Sequence, residues 1–163
     1  MASHSMGLSL HEAARGMGVS FTDENEPLDR TVKANGLNFH YLEWGDSANP
    51  TVVMLHGVSQ QAHSWDFVSL ALSPDYHVVA VDQRGHGDTD WATDGVYSLD
   101  AMQADIDGVV DGLGLKDFNL MGHSMGGRNS FIWASRHPGT LRSLTIVDTG
   151  PETQRRGRDR IRD

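Results

Sequence analysis

Residues 117–138 read DFNLMGHSMGGRNSFIWASRHP. A short, mostly apolar run (117–121) meets Gly122-His123-Ser124-Met125-Gly126, and a helix-like segment then runs from Met125 to His137, stopped before Pro138. The central five residues form a G-x-S-x-G pattern. Alone, that pattern arises by chance in a chain with 18 glycines, and an incidental serine at a Gly-rich helix start remains an alternative reading. Its context gives it meaning, because the pattern sits where a strand turns sharply into a helix. Such a turn forces the serine into a strained backbone conformation. Side chains two positions to either side would collide, which explains glycine at 122 and 126. The turn would lift Ser124 Oγ above the carboxyl edge of a sheet, where open α/β sheets bind ligands.

Working outward, strands and helices alternate. The sequence RTVKANGLNFHYLEWG (30–45) predicts two strands joined by an Asn35-Gly36 turn. TVVMLHG (51–57) is a continuous apolar run ended by glycine, as expected of a strand covered on both faces. AHSWDFVSLALS (62–73) reads as helix, and YHVVAVDQRGHG (76–87) as a second buried strand entering a Gly-rich loop. Leu99, Met102, Ile106, Val109 and Leu113 recur at helical spacing, with Ser98 placed to cap and Gly112 and Gly114 to stop that helix. DFNLMG (117–122) and LRSLTIVDTGP (141–151) give two further strands. The predicted fold class is α/β: a mainly parallel sheet with helices on both faces and an N-terminal antiparallel hairpin. Residues 1–29 read as a flexible N-terminal arm, 30–150 as the core, and 151–163 as the start of a lid or cap.

Composition excludes several functions. The net charge is −9, from 13 basic and 22 acidic side chains, which argues against nucleic acid. The absence of cysteine removes disulfides, thiolate metal sites and a Cys nucleophile. No apolar stretch approaches the length of a membrane span, and residues 1–18 lack the pattern of a secretory signal. The expectation is a cytoplasmic protein that takes a small-molecule substrate and needs neither cofactor nor metal.

An acyl-transfer serine requires two N–H donors aimed at a developing oxyanion. The Met125 N–H, at the helix start, is one candidate. The loop after the 51–57 strand offers another, Val58, following Gly57. At this point the chain resembles the α/β-hydrolase fold family, in its serine-nucleophile branch. LHGVSQQAHSW (55–65), VDQRGHGDTD (81–90) and GHSMGG (122–127) stand in that family's order and approximate spacing, over residues 30–163. The resemblance implies Ser124 as nucleophile, with Val58 and Met125 as oxyanion-hole donors. The chain closely resembles the esterase, lactonase, haloperoxidase-like and carbon–carbon-bond hydrolase branches. Related epoxide hydrolases and haloalkane dehalogenases carry Asp at the nucleophile position, so Ser124 counts against both.

His56 and Gly57 are candidate substrate contacts, and Trp65 a wall of the pocket or the core. The 82–90 loop offers Asp82, Arg84, His86, Asp88 and Asp90, read as a structural loop shaped by Asp–Arg contacts. The resembled family orders its triad Ser, acid, His. Asp148, ending the last strand, is a candidate acid, or else a turn residue. Of the 39 residues after Ser124, one is histidine. That residue, His137, lies at the far end of the helix, about 20 Å away at 1.5 Å per residue. No base is recognisable, and a serine without one is a poor nucleophile. The expectation is the N-terminal portion of a longer serine hydrolase, with a catalytically silent binding module as the alternative. An exposed sheet edge is also expected, through which the chain self-associates.

Overall fold

The computed structural model describes residues 7–150. A helix, α1 (Leu10–Gly16), precedes an antiparallel hairpin of β1 (Leu28–Ala34) and β2 (Leu37–Trp44). Then follow β3 (Thr51–Leu55), a turn of 3₁₀ helix (Ala62–Trp65) continuing into α2 (Asp66–Leu72), and β4 (His77–Val81). The long α3 (Leu99–Gly112), β5 (Phe118–His123), α4 (Met125–Arg136) and β6 (Leu141–Val147) complete the order. The six strands form one sheet in the order β1-β2-β4-β3-β5-β6. β1, β2 and β4 pair antiparallel, whereas β3, β4, β5 and β6 run parallel. This is the expected α/β architecture.

The period of two along each strand divides the core. Val53, Leu55, Val79 and Val81 join Ile106, Val109 and Val110 of α3 and Trp133 of α4 on one face. Val52, Met54, Val78 and Ala80 pack with Leu70 of α2, Ala62 and Trp65 on the other, where Ala14 of α1 also lies. β4 is buried at every position, as its apolar run requires. The hairpin turn has φ of 45° at Asn35 and 79° at Gly36, the two left-handed residues of a type I′ turn.

Two local features add detail to the expected architecture. Within residues 7–29, Ser9 and Glu12 form a reciprocal capping box that starts α1, and His11 and Ala14 are buried. Trp65 takes the core place, one of the two expected for it, beside Leu42 and Trp44, and is 7% exposed. No helix among the described residues is long and apolar enough to cross a membrane.

Candidate active site

Ser124 stands between β5 and α4 with φ 49° and ψ −110°, a conformation that side-chain-bearing residues adopt only under constraint. The constraints are visible. Ser124 N–H donates to Val147 O at 3.0 Å, extending the β5–β6 ladder, and Arg128 N–H donates to Ser124 O at 2.9 Å, opening the helix. Gly126 N–H donates back to His56 O at 3.1 Å. A Cβ on Gly126 would fall inside the Leu55 carbonyl, and one on Gly122 would fall on Gly126 O. Glycine at both positions therefore lets the turn close against the end of β3. Ser124 is half-buried, and its hydroxyl makes no capping bond to α4. The N–H groups of Met125 and Val58 have no backbone acceptor among the described residues.

The loop after β3 is held from several sides. The imidazole of His56 is fully buried. Its Nε2 accepts from Gln83 N–H at 3.0 Å, so Nδ1 carries the proton and donates to Gly57 O at 2.8 Å. Burial holds this imidazole below its ordinary pKa, against the opposing effect of the Gly57 carbonyl. A neutral ring with both nitrogens committed is not free to take a proton from Ser124. His56 fixes the loop. His56 O accepts from Gln83 Nε2 at 2.6 Å as well as from Gly126, tying the loops after β3 and β4 to the elbow. Gln83 Oε1 in turn accepts from Asn129 Nδ2 of α4 at 2.8 Å. Sequence reasoning missed Gln83 and Asn129, whose polar side chains gave no sign of burial.

The 82–90 loop is held both by contacts within itself, such as Thr89 Oγ1 donating to Asp82 O at 2.6 Å, and by contacts to other elements. Arg84 reaches α3 and forms a two-pronged pair with Asp105, at 2.6 and 2.7 Å. Asp82 braces the strand ends: Oδ1 accepts from Ala62 N–H at 2.6 Å, and Oδ2 accepts from Asp88 N–H at 3.0 Å and faces His40 Nδ1 at 2.8 Å. His40, Asp82 and Asp88 bring ligand-type atoms within 4.8 Å of one another, but Asp82 has already committed both oxygens. The cluster therefore reads as a brace rather than a cation site. His86 lies tilted against His56, with ring centres 5.0 Å apart and planes 56° apart, and faces Arg84 O.

Asp148 follows Val147, whose carbonyl receives the Ser124 N–H, so its backbone lies beside the elbow. Its own φ is 52°, and its carboxylate is exposed, 3.8 Å from His123 Nε2. His137 is engaged elsewhere: it stacks on Trp133 at 4.2 Å and faces Trp133 O and Asp107. The expected lid start, 151–163, lies outside the described residues. A strained serine at a strand–helix elbow, with the Met125 N–H directly after it free of a backbone acceptor among the described residues, is an arrangement suited to attack on a carbonyl carbon.

Known proteins resemble this chain in sequence and in fold. Mouse epoxide hydrolase 4 is 34% identical over 118 residues, which are 72% of this chain and 33% of that protein. N-formylmaleamate deformylase of Pseudomonas putida is 34% identical over 117 residues, 72% of this chain and 43% of the enzyme. A crystal structure of an alpha/beta hydrolase from Novosphingobium aromaticivorans superposes with a TM-score of 0.79 at 29% identity, covering 86% of this chain and 50% of that one. The chain thus spans between a third and a half of the length of these relatives. The family model for the alpha/beta hydrolase fold matches residues 50–159, which include the loop after β3, the 82–90 loop and the elbow. With the sheet order, the elbow geometry and this match in agreement, the chain belongs to the alpha/beta hydrolase fold family.

Proposed function

We propose that the protein is a serine hydrolase acting on an ester-like or other carbonyl substrate, with Ser124 as its nucleophile. One observation carries the reading: Ser124 holds φ 49° and ψ −110° at the elbow, and no bond to α4 occupies its hydroxyl. Ser124 Oγ adds to the carbonyl carbon and its proton passes to a base. The carbonyl oxygen becomes an oxyanion facing the N–H groups of Met125 and Val58. Collapse expels the alcohol or amine, protonated by the same base, and water then releases the acid by the reverse sequence. Serine rather than aspartate favours this chemistry over epoxide opening, although epoxide hydrolase 4 is among the relatives. The formyl-releasing name of the Pseudomonas putida relative fits it.

The base, in this reading, comes from polypeptide outside the described residues. His56 is locked and His137 stacks at the far end of α4. Asp148 is the candidate acid, placed at the sheet edge beside the elbow. That no described histidine meets Ser124 also favours a second reading, a silent binding module on the same scaffold. Intact-mass measurement after treatment with a fluorophosphonate separates the two. The expected result is slow formation of one adduct per chain, absent in Ser124→Ala. A folded chain that takes no adduct would favour the binding module.

A further inference from the structure

We propose that Gln60 and His123 are positioning residues that together set the direction of the Val58 N–H; the catalytic value of that direction rests on the serine-hydrolase reading. Gln60 holds both sides of Gly57. Its Oε1 accepts from Gly57 N–H at 2.9 Å, and its own N–H donates to Gly57 O at 3.2 Å. Gly57 O also receives the His56 Nδ1–H, so this carbonyl points into the protein. Among the described residues there are no cis peptide bonds, and across a trans peptide the C=O and N–H point in opposite directions. Pinning Gly57 O inward therefore turns the Val58 N–H outward, to the side where Val58 is exposed.

His123 ties that frame to the nucleophile. Its Nδ1 lies 2.9 Å from Gln60 Oε1, which as an amide oxygen can only accept, so His123 donates. Gly57 packs directly on the ring: a Cβ there would come within 2.8 Å of His123 Nδ1. His123 precedes Ser124 and ends β5, so one amide oxygen joins the oxyanion loop to the serine's own strand. The left-handed φ of 59° at Ser59 folds the loop back to make this reach possible. Among the described residues the charged group facing His123 is Asp148, on its Nε2 side, which leaves the Nδ1 bond to Gln60 undisturbed.

Gln60→Met, which keeps length and loses the acceptor, tests the proposal beside Gln60→Glu, which keeps an accepting oxygen. Amide exchange of Gly57 is read by NMR, with the His123 ring nitrogens in the same samples. In Gln60→Met, Gly57 exchange is expected to accelerate about tenfold or more, because a closed hydrogen bond opens locally. His123 loses its preference for the Nδ1–H tautomer, and the melting temperature stays within about 3 °C, as for an exposed side chain. Gln60→Glu retains Gly57 protection. The fluorophosphonate reaction splits accordingly: the maximal labelling rate of Gln60→Met falls about tenfold while the reagent's apparent affinity is unchanged, because the lost alignment matters to the oxyanion. Unaltered Gly57 exchange in Gln60→Met would overturn the proposal, as would faster exchange with a wild-type labelling rate. If the wild type takes no adduct while Gly57 exchange still responds, the serine-hydrolase reading falls and the positioning role stands.

Discussion

At Ser124, strain and close approach replace the usual freedom of a helix start. The pattern of glycines at 122 and 126 made the turn legible in sequence, and the structure supplies the cause: there is no room for a Cβ against Leu55 O or Gly126 O. Gly126→Val is therefore expected to cost about 3 kcal/mol or more through forced backbone displacement. Ser124→Ala, which removes an unbonded hydroxyl, should stay within about 0.5 kcal/mol of the wild type. Urea unfolding of both variants checks this, and equal midpoints would contradict it. His40 was passed over in sequence because a lone histidine in a strand carries no signal. It is 5% exposed and lies between Asp82 at 2.8 Å and Asp29 at 3.0 Å. Burial pulls its pKa down, but the bonds to Asp82 and Asp29, with the charges of Asp82 and Asp88, outweigh that and the net direction is up. A raised folded pKa means that the protonated ring stabilises the fold. That contribution is complete below the unfolded value of about 6.5 and is lost as pH rises through the folded value. The melting-temperature gap between wild type and His40→Asn should thus be widest near about pH 6 and narrow toward about pH 8.5. A gap that widens with pH would refute the assignment.

Among the elements, those with strong periodicity were readable and those held by side-chain capping were not. α3 and α4 showed their apolar stripes, and β3 and β4 their unbroken apolar runs. α1 has few apolar residues, so its hydrophobic pattern is faint, yet Ser9-Leu10-His11-Glu12 spells the capping box that starts it. The 82–90 loop was read as structural, but its anchor lies on a distant helix, which local sequence does not reveal. Arg84 and Asp105 are both nearly inaccessible, and Arg84 Nη1 also donates to Val96 O, pinning the far end of the β4–α3 connection. Asp105 accepts in addition from Asn35 Nδ2 at 2.8 Å, joining α3 to the hairpin turn. Asp105→Ala is expected to cost about 3–5 kcal/mol, because it leaves a buried guanidinium unpaired. Replacing both partners, as Arg84→Met with Asp105→Leu, should cost less than that single change. Denaturant midpoints of the three variants decide it, and a double variant weaker than Asp105→Ala would refute this reading. Limited proteolysis adds a local readout: Asp105→Ala should be cut first between 85 and 97.

Across the whole molecule, the two edges of the sheet differ in chemistry. β1 carries Asp29, Arg30 and Lys33, charges that discourage pairing with another chain. β6 reads LRSLTIV, with one charge at its start, and Arg142 is paired with Asp117. Every β6 residue is at least partly exposed among the described residues, and Leu144 and Val147 are 39% and 38% exposed. An apolar strand edge with unpaired backbone groups is a template for another strand. We propose that two copies pair through β6 and that the net charge of −9 opposes this at low salt. Physiological salt shortens the screening length to about 8 Å and so weakens the opposition between charges spread over the surface. Sedimentation velocity is expected to show a concentration-dependent dimer that grows as salt rises from about 0.01 to 0.15 M. Thr145→Lys places a charge at the centre of the edge, where two copies would bring like charges together, and should return the chain to monomer with its melting temperature little changed. A wild type that sediments as a monomer at every salt concentration, or a Thr145→Lys variant that dimerises equally well, would show that β6 is not the pairing edge.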